Sequence, residues 1–301
     1  MKIERDTKRL IIIVGPTAIG KTALSIDLAK HYNCPILSFD SRQFYEEMRI
    51  GNARPSDDEL SQAEHHFIAN RNTETRYTAG MFEKDALNLL DRIFQKHNTC
   101  IAVGGSGLYI NALAFGIDNI PANEEVREEL EKRWKKEGLE TLQDELKEID
   151  PEYYESADIK NPRRVMRALE AIQITGKKLS DLRKKSPKKR NFEMTWIGLE
   201  IPRPELFERI NKRVDIMMDM GLEAETRDLF HLRHRKALKT VGYRELFEYF
   251  EGKQTIERAV EIIKRNTRIY AKQQITWFKK NDAVHWYHPA ELTEIIEELD
   301  K

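Results

Sequence analysis

An α/β fold, in which a parallel sheet flanked by helices is interrupted by a helical insertion, is what this sequence predicts, on three observations. The stretch IIIVGPTAIGKT, residues 11–22, is a β-branched run that breaks into a glycine loop and continues with helix spacing. Two further apolar stretches, PILSFDS at 35–41 and TCIAVGGSG at 99–107, end in an acid and in a glycine turn. Strand, helix, strand with polar residues at the strand ends suggests a parallel sheet whose site lies at its carboxyl edge. Finally, from Pro121 to about Gly176 the pattern is helical and charged without strand signals, and strand character resumes only at MTWIGLEI, residues 194–201.

In chain order, residues 9–15 read as a buried strand and Lys21–His31 as a helix with Leu24, Leu28 and Ala29 on one face. The 35–41 strand ends in Asp40, and the 99–107 strand in glycines. The basic stretch KKLSDLRKKSPKKR at 177–190 reads as a loop around Ser186-Pro187. Residues 203–301 are mostly helical, with amphipathic spacing in PELFERINKRVDIMMDMGLEAETRDLF and TIERAVEIIKRNTRIYAKQQITWFKK. The expected organisation is a core domain of 1–120 and 194–301, a P-loop NTPase-like parallel sheet with C-terminal helices, and a helical insertion domain of 121–193.

Lys plus Arg equals Asp plus Glu, 51 each, so net charge singles out no partner class in this chain of 301 residues. The average hides an asymmetry: acids dominate 124–155, and bases dominate 177–190, a patch suited to nucleic acid. Cys34 and Cys100 have neither disulfide-framework nor metal spacing. No apolar run approaches the length of a membrane span and no leader pattern opens the chain, so a soluble, cytoplasmic protein without membrane partners is expected.

GPTAIGKT matches G-x-x-x-x-G-K-[ST] at Gly15, Gly20, Lys21 and Thr22, with Pro16, Thr17, Ala18 and Ile19 between. Glycines let backbone N–H groups converge on phosphate oxygens at a helix N-terminus, Lys21 adds charge, and the Thr22 hydroxyl suits Mg²⁺. An acid ending the 99–107 strand, as an ATPase would need, is missing. Asp40 stands at a neighbouring strand end instead, as a base or as a turn residue. Arg209 and Arg213, four apart, read as a diphosphate clamp or as a solvated stripe. NPRRVMRALE at 161–170, KTVGYRE at 239–245 and KQQITWFKK at 272–280 interleave basic, amide and aromatic side chains suited to RNA, although Trp277 and Phe278 also suit a core. His231 and His234 form a bare HxxH, a poor metal site, and NARP at 52–55 opens a polar loop.

GPTAIGKT, FDSRQFYEEMRIGNARP, VGGSGLY, NPRRVMRALE with TGKKLS, KTVGYRE and KQQITWFKK, in this order from about residue 11 to 287, resemble the bacterial tRNA dimethylallyltransferases, also called tRNA isopentenyltransferases. The resemblance implies transfer of a dimethylallyl group from dimethylallyl diphosphate to N6 of the adenosine 3′-adjacent to the anticodon. The products are N6-isopentenyladenosine and diphosphate. The loop would then hold the diphosphate of the donor, with Mg²⁺ at Thr22, and Lys21 and Arg213 would stabilise the leaving group. Asp40 becomes the base, and Ser106 stands where the family usually has threonine, its hydroxyl near the reacting adenine. Contacts to the tRNA anticodon stem-loop are implied for Asp40, Ser41, Arg42 and Gln43, for Ser106 and Arg127, and for Asn161, Pro162, Arg163, Arg164 and Val165. They extend to Lys239, Thr240, Val241, Gly242, Tyr243 and Arg244, and to Lys272, Gln273, Gln274 and Trp277. A monomer is expected. Arg42, Arg49, Asn52 and Arg54 depart from the residues common in the family. Two other classes fit part of the pattern: a small-molecule kinase, which lacks its strand-end acid, and a non-catalytic RNA binder, which would not need Lys21, Thr22 and Asp40 together.

Overall fold

The computed structural model describes residues 7–118, 120–183 and 187–301, and the chain divides into two compact units, residues up to 115 with 190–301, and 116–189. The larger unit begins with β1 (Arg9–Val14), α1 (Lys21–Tyr32), β2 (Ile36–Ser38), α2 (Asp57–Ser61), β3 (His65–His66), α3 (Ala79–Ile93), β4 (Thr99–Val103) and α4 (Gly107–Phe115). The smaller holds α5 (Glu124–Glu137), α6 (Leu139–Ile149), α7 (Pro151–Ser156), α8 (Pro162–Thr175) and α9 (Leu179–Leu182). The larger unit resumes with β5 (Glu193–Leu199), α10 (Arg203–Asp219), α11 (Leu222–Asp228), α12 (Tyr243–Phe250), α13 (Ile256–Phe278), β6 (Val284–Tyr287) and α14 (Leu292–Leu299).

The six strands form one parallel sheet in the order β3-β2-β4-β1-β5-β6. β1 lies between β4 and β5, with Leu10 opposite Cys100 and Met194 and Ile13 opposite Val103 and Ile197. A parallel strand covered on both faces must be apolar throughout, which the run LIIIV satisfies. Its side chains alternate between two cores. Leu10, Ile12 and Val14 pack with Phe82, Leu90 and Leu113 of α3 and α4, and Ile11 and Ile13 with Leu24, Leu206 and Ile295 of α1, α10 and α14. Both cysteines are buried and free.

Two strands were not foreseen from sequence: β3, only two residues, and β6 within the segment read as helical. Both are sheet edges, too short for periodicity, and pairing with β2 and β5 defines them. β2 is also shorter than the apolar run, so Asp40 lies two residues beyond its end. The division at 189/190 reflects Arg190, whose guanidinium meets Glu83 at 2.9 Å and donates to the carbonyls of Leu113 (2.8 Å) and Ala112 (2.9 Å). These contacts hold it in the larger unit, whereas the sequence reading left it in the insertion. Lys184, Lys185 and Ser186 of the basic stretch lie outside the described residues.

The smaller unit packs around Leu130, Leu142, Leu146, Val165, Leu169 and Leu179. Glu170, fully buried there, accepts from Arg127 Nη2, Arg167 Nη1 and the Asn123 amide, each at 2.9 Å. Burial raises its pKa, but these donors outweigh burial and hold the carboxyl below its usual range.

The Arg190–Glu83 pair is buried on both sides, at 7% and 8% side-chain exposure. Removing one member takes a buried ion-pair partner from the other, so Arg190→Ala is expected to lower the unfolding free energy by about 3–5 kcal/mol. The paired change Arg190→Met with Glu83→Leu is expected to cost less, and equilibrium denaturation of the three proteins measures both.

Candidate active site

Between β1 and α1 the backbone passes through Gly15 at φ +148° and Gly20 at φ +108°, where L side chains are strained. A Cβ at Gly15 would also stand 3.0 Å from the Leu199 carbonyl oxygen at the end of β5. Lys21 and Thr22 then open α1, whose first turn holds no acid. The N–H groups and positive dipole end of the helix therefore face whatever the loop encloses. Lys21 Nζ donates to the carbonyls of Gly15 (3.0 Å) and Pro16 (2.7 Å).

A cleft of about 650 Å³ opens at the carboxyl edge of the sheet, and Thr17–Thr22, Asp40–Gln43 and Gly51–Ala53 line it. From the C-terminal helices come Arg213, Met217, Tyr270 and Gln274, with Thr240, Val241 and Gly242 ahead of α12. Burial lowers the pKa of Lys21 from its ordinary 10.5 to about 7; the Asp40 carboxylate raises it and Arg213 lowers it further. Burial likewise lowers the pKa of Arg213, against the pull of Asp40 and Glu59. Lys21 and Arg213, both desolvated, thus share the cleft with the carboxylates of Asp40 and Glu59. Arg213 Nη1 lies 3.4 Å from Thr17 Oγ1, tying α10 to the loop.

Asp40 sits in a turn that its own carboxylate helps close, Oδ1 accepting from the Arg42 amide at 3.0 Å. The Ser41 amide donates to Ser106 Oγ (2.9 Å), and Ser106 Oγ donates to Ser41 Oγ (3.0 Å), linking the ends of β2 and β4. Gln274, 5% exposed, accepts from the Thr17 amide (2.9 Å) and donates to the Gly105 carbonyl (3.0 Å). One buried amide therefore fixes the phosphate loop against the β4 turn. Tyr270, missed in the sequence, has a partly open ring, while its hydroxyl hydrogen-bonds with Ser106 and Gln274. Burial, followed by Asp40, pushes its phenol pKa up. Its place four residues before Gln274 on one helix face was the available signal.

The remaining sequence candidates separate. Arg209 lines the cleft beside Arg213 but pairs with Glu205 at 2.8 Å on the helix surface, so the stripe reading suits it and the clamp reading suits Arg213. Arg42 donates to the Ala237 carbonyl (2.9 Å), and both ends of the Gln43 amide are engaged within the fold. Arg127 staples Glu170, and Asn161 caps α8 by accepting from the Arg163 amide at 3.1 Å. Pro162 occupies the first turn, and Arg163 and Arg164 are exposed.

Val165 and Tyr243 have fully buried side chains, which leaves their backbone for the contacts expected of them. Lys239, Arg244, Lys272 and Gln273 are exposed. Phe278 is core, whereas Trp277 is 41% exposed and not the core residue its apolar context suggested. The exposed His231 turns its Nδ1 to the Asp228 carbonyl.

A glycine loop that delivers a lysine and a threonine over a parallel sheet, opposite a carboxylate, defines a P-loop-type α/β protein. Residues 43–281 match the family described as IPP transferase. The tRNA dimethylallyltransferase of Flavobacterium psychrophilum is 48% identical over 299 residues, 97% of this chain and 97% of that protein. That of Cytophaga hutchinsonii is 46% identical over 289 residues, 96% of this chain and 95% of that protein. The solved full-length tRNA isopentenylpyrophosphate transferase of Bacillus halodurans, 36% identical, superposes with a TM-score of 0.71 over 97% of this chain and 94% of that one. The chain belongs to the IPP transferase family.

A bound diphosphate would restore the charge on Lys21, so its binding takes up a proton wherever the free side chain is neutral. Diphosphate affinity is expected to fall as pH rises above about 7. Calorimetry in buffers of different ionisation enthalpy reads the uptake, and Lys21→Met abolishes it; equal uptake by the variant would assign the proton elsewhere. Without ligand, the unfolded chain holds the Lys21 proton between about 7 and 10.5, so the contribution of this group to stability rises with pH across that window.

Proposed function

We propose that this chain is a tRNA dimethylallyltransferase, transferring a dimethylallyl group from dimethylallyl diphosphate to N6 of the adenosine 3′-adjacent to the anticodon. The observation that carries the reading is Asp40 facing the same cleft as the desolvated Lys21 and Arg213. Activities of the named relatives and the similarity along nearly the whole chain support it.

In this reading the N6 nitrogen forms a bond to the first allyl carbon, the bond from that carbon to the diphosphate oxygen breaks, and the N6 proton passes to Asp40. Adenine N6 is a weak nucleophile because its lone pair is delocalised into the ring, so a positioned carboxylate contributes about 10²–10⁴ in rate. The loop amides, Lys21 and Arg213 receive the charge on the departing diphosphate, and their desolvation strengthens that interaction. Ser106 and Tyr270 border the space next to Asp40. The adenine leaves its stack to reach the cleft.

The Thr22 hydroxyl at the helix start is the kind of lone protein oxygen that suits Mg²⁺, which takes its remaining ligands from phosphate oxygens and water. Bound there, Mg²⁺ would neutralise charge on the leaving diphosphate. Exposed Arg163, Arg164, Lys239, Arg244, Lys272 and Gln273, with Trp277, are the candidates for holding the anticodon stem-loop. The reading carries with it a monomeric enzyme in the cytoplasm; among the described residues no helix is long and apolar enough to cross a membrane.

Purified protein incubated with unmodified anticodon stem-loops, Mg²⁺ and dimethylallyl diphosphate tests the reading by nucleoside mass spectrometry. A dimethylallyl mass increase on adenosine is expected, with Asp40→Asn slowed by about 10²–10⁴ while tRNA affinity is kept. No product with any tRNA carrying the target adenosine, and ATP consumed in a parallel reaction, would overturn it in favour of a kinase.

A further inference from the structure

Glu225, on α11, belongs to none of the segments that carry the resemblance. Its Oε2 accepts from the amides of Arg49 (3.0 Å) and Ile50 (2.8 Å), and its Oε1 from the Gly51 amide (3.1 Å) and the Tyr243 hydroxyl (2.6 Å). Successive amides turned onto one anion form a nest of the kind that binds phosphates. Here the protein fills it with its own carboxylate. Tyr243 is fully buried, and a Cβ at Gly51 would stand 2.5 Å from its ring, so glycine is required where the turn meets it.

From this clasp, hydrogen bonds run to the reacting end of the cleft. Asn52 Nδ2 donates to the carbonyls of Arg42 (3.0 Å) and Met48 (2.5 Å). The Ala53 carbonyl accepts from Gln43 Nε2 (3.0 Å), and Gln43 Oε1 accepts from Ser38 Oγ at 3.1 Å. The same Ser38 oxygen accepts from the Asp40 amide at 3.2 Å. The phosphate loop is held separately, by Gln274 and by its packing on Leu199. The two ends of the cleft meet at the β4 turn, through Gln274, Tyr270 and Ser106, but the bonds of the clasp itself run only to the Asp40 end.

We propose that Glu225, with Tyr243 as its partner, is a positioning residue that sets the 49–53 turn and, through Gln43 and Ser38, the placement of Asp40 for proton transfer. This rests on the transferase reading of Asp40. A clasp that positions the base affects turnover and leaves donor binding alone, whereas a merely structural role degrades both.

Glu225→Gln keeps the shape of the side chain but replaces one acceptor oxygen with a donor that faces other donors. Tyr243→Phe removes a single hydrogen bond and is the milder variant, and Glu225→Asp keeps the charge. Hydrogen exchange is expected to accelerate in the peptide spanning 49–53 of Glu225→Gln and not in the peptide spanning 15–22, since opening there is local. Turnover on a stem-loop is expected to fall between about ten- and a hundredfold, the range for a misplaced catalytic group. KM for dimethylallyl diphosphate is expected to stay within about twofold, with Tyr243→Phe intermediate and Glu225→Asp partly restored.

Unchanged turnover, unchanged exchange, or KM for the diphosphate rising together with the turnover loss would overturn the proposal. If the wild-type protein forms no product, the transferase reading has failed, and with it the assignment of Glu225 to catalysis. The exchange comparison then stands as the test of the clasp itself.

Discussion

Holding two basic side chains, Lys21 and Arg213, away from bulk water at one edge of a sheet is the constraint on which the larger unit depends. Lys21 and Arg213 repel each other and lose hydration, and Asp40 offsets only part of that cost. Such an arrangement persists when the scaffold cannot relax around it. β1, covered by apolar side chains on both faces and paired on both sides, is that scaffold. The loop leaving it has little freedom, because Gly15 presses on the backbone of Leu199 and Lys21 is tied to two loop carbonyls. A diphosphate bound in the cleft would relieve these unfavourable electrostatics.

The other side of the cleft is assembled differently. No strand residue presents Asp40; it lies in a turn, and turns take their geometry from what they are bonded to. Ser106, Gln43, Ser38 and the clasp at Glu225 supply those bonds. The departures from the family pattern fall largely in this loop, and the structure gives Arg49, Asn52 and Ser106 partners. Arg49 pairs with Asp57 at the surface while its amide serves the clasp, and Asn52 stitches the carbonyls of Arg42 and Met48. Ser106 lacks the methyl of threonine but keeps the hydroxyl that both joins it to Ser41 and meets Tyr270.

The smaller unit illustrates how a charged residue changes meaning with its surroundings. Arg127, Arg163 and Arg164 look alike in the sequence. Arg127 closes on the buried Glu170, a pairing that joins α5 to α8, whereas Arg163 and Arg164 face solvent at the start of α8. Composition and spacing cannot separate a helix staple from a nucleic-acid contact, since both ask for a guanidinium on a helix face.

The central strand, the phosphate loop, α1, the helical character of the insertion and of the C-terminal segment, and the family were legible in the sequence, because these rest on local rules: an apolar run, a glycine loop, helix periodicity and a set of motifs in order. Tertiary structure decided the rest. Two edge strands exist only through their partners. Tyr243 and Val165 turned inward and Trp277 outward, although their neighbours in sequence suggested otherwise. Glu225 carries no motif at all, since its role is written in three backbone amides of a segment more than 170 residues away, and backbone amides are the same in every sequence. Local spacing encodes what a residue does to its own helix or strand; which distant groups it meets is set only when the chain is packed.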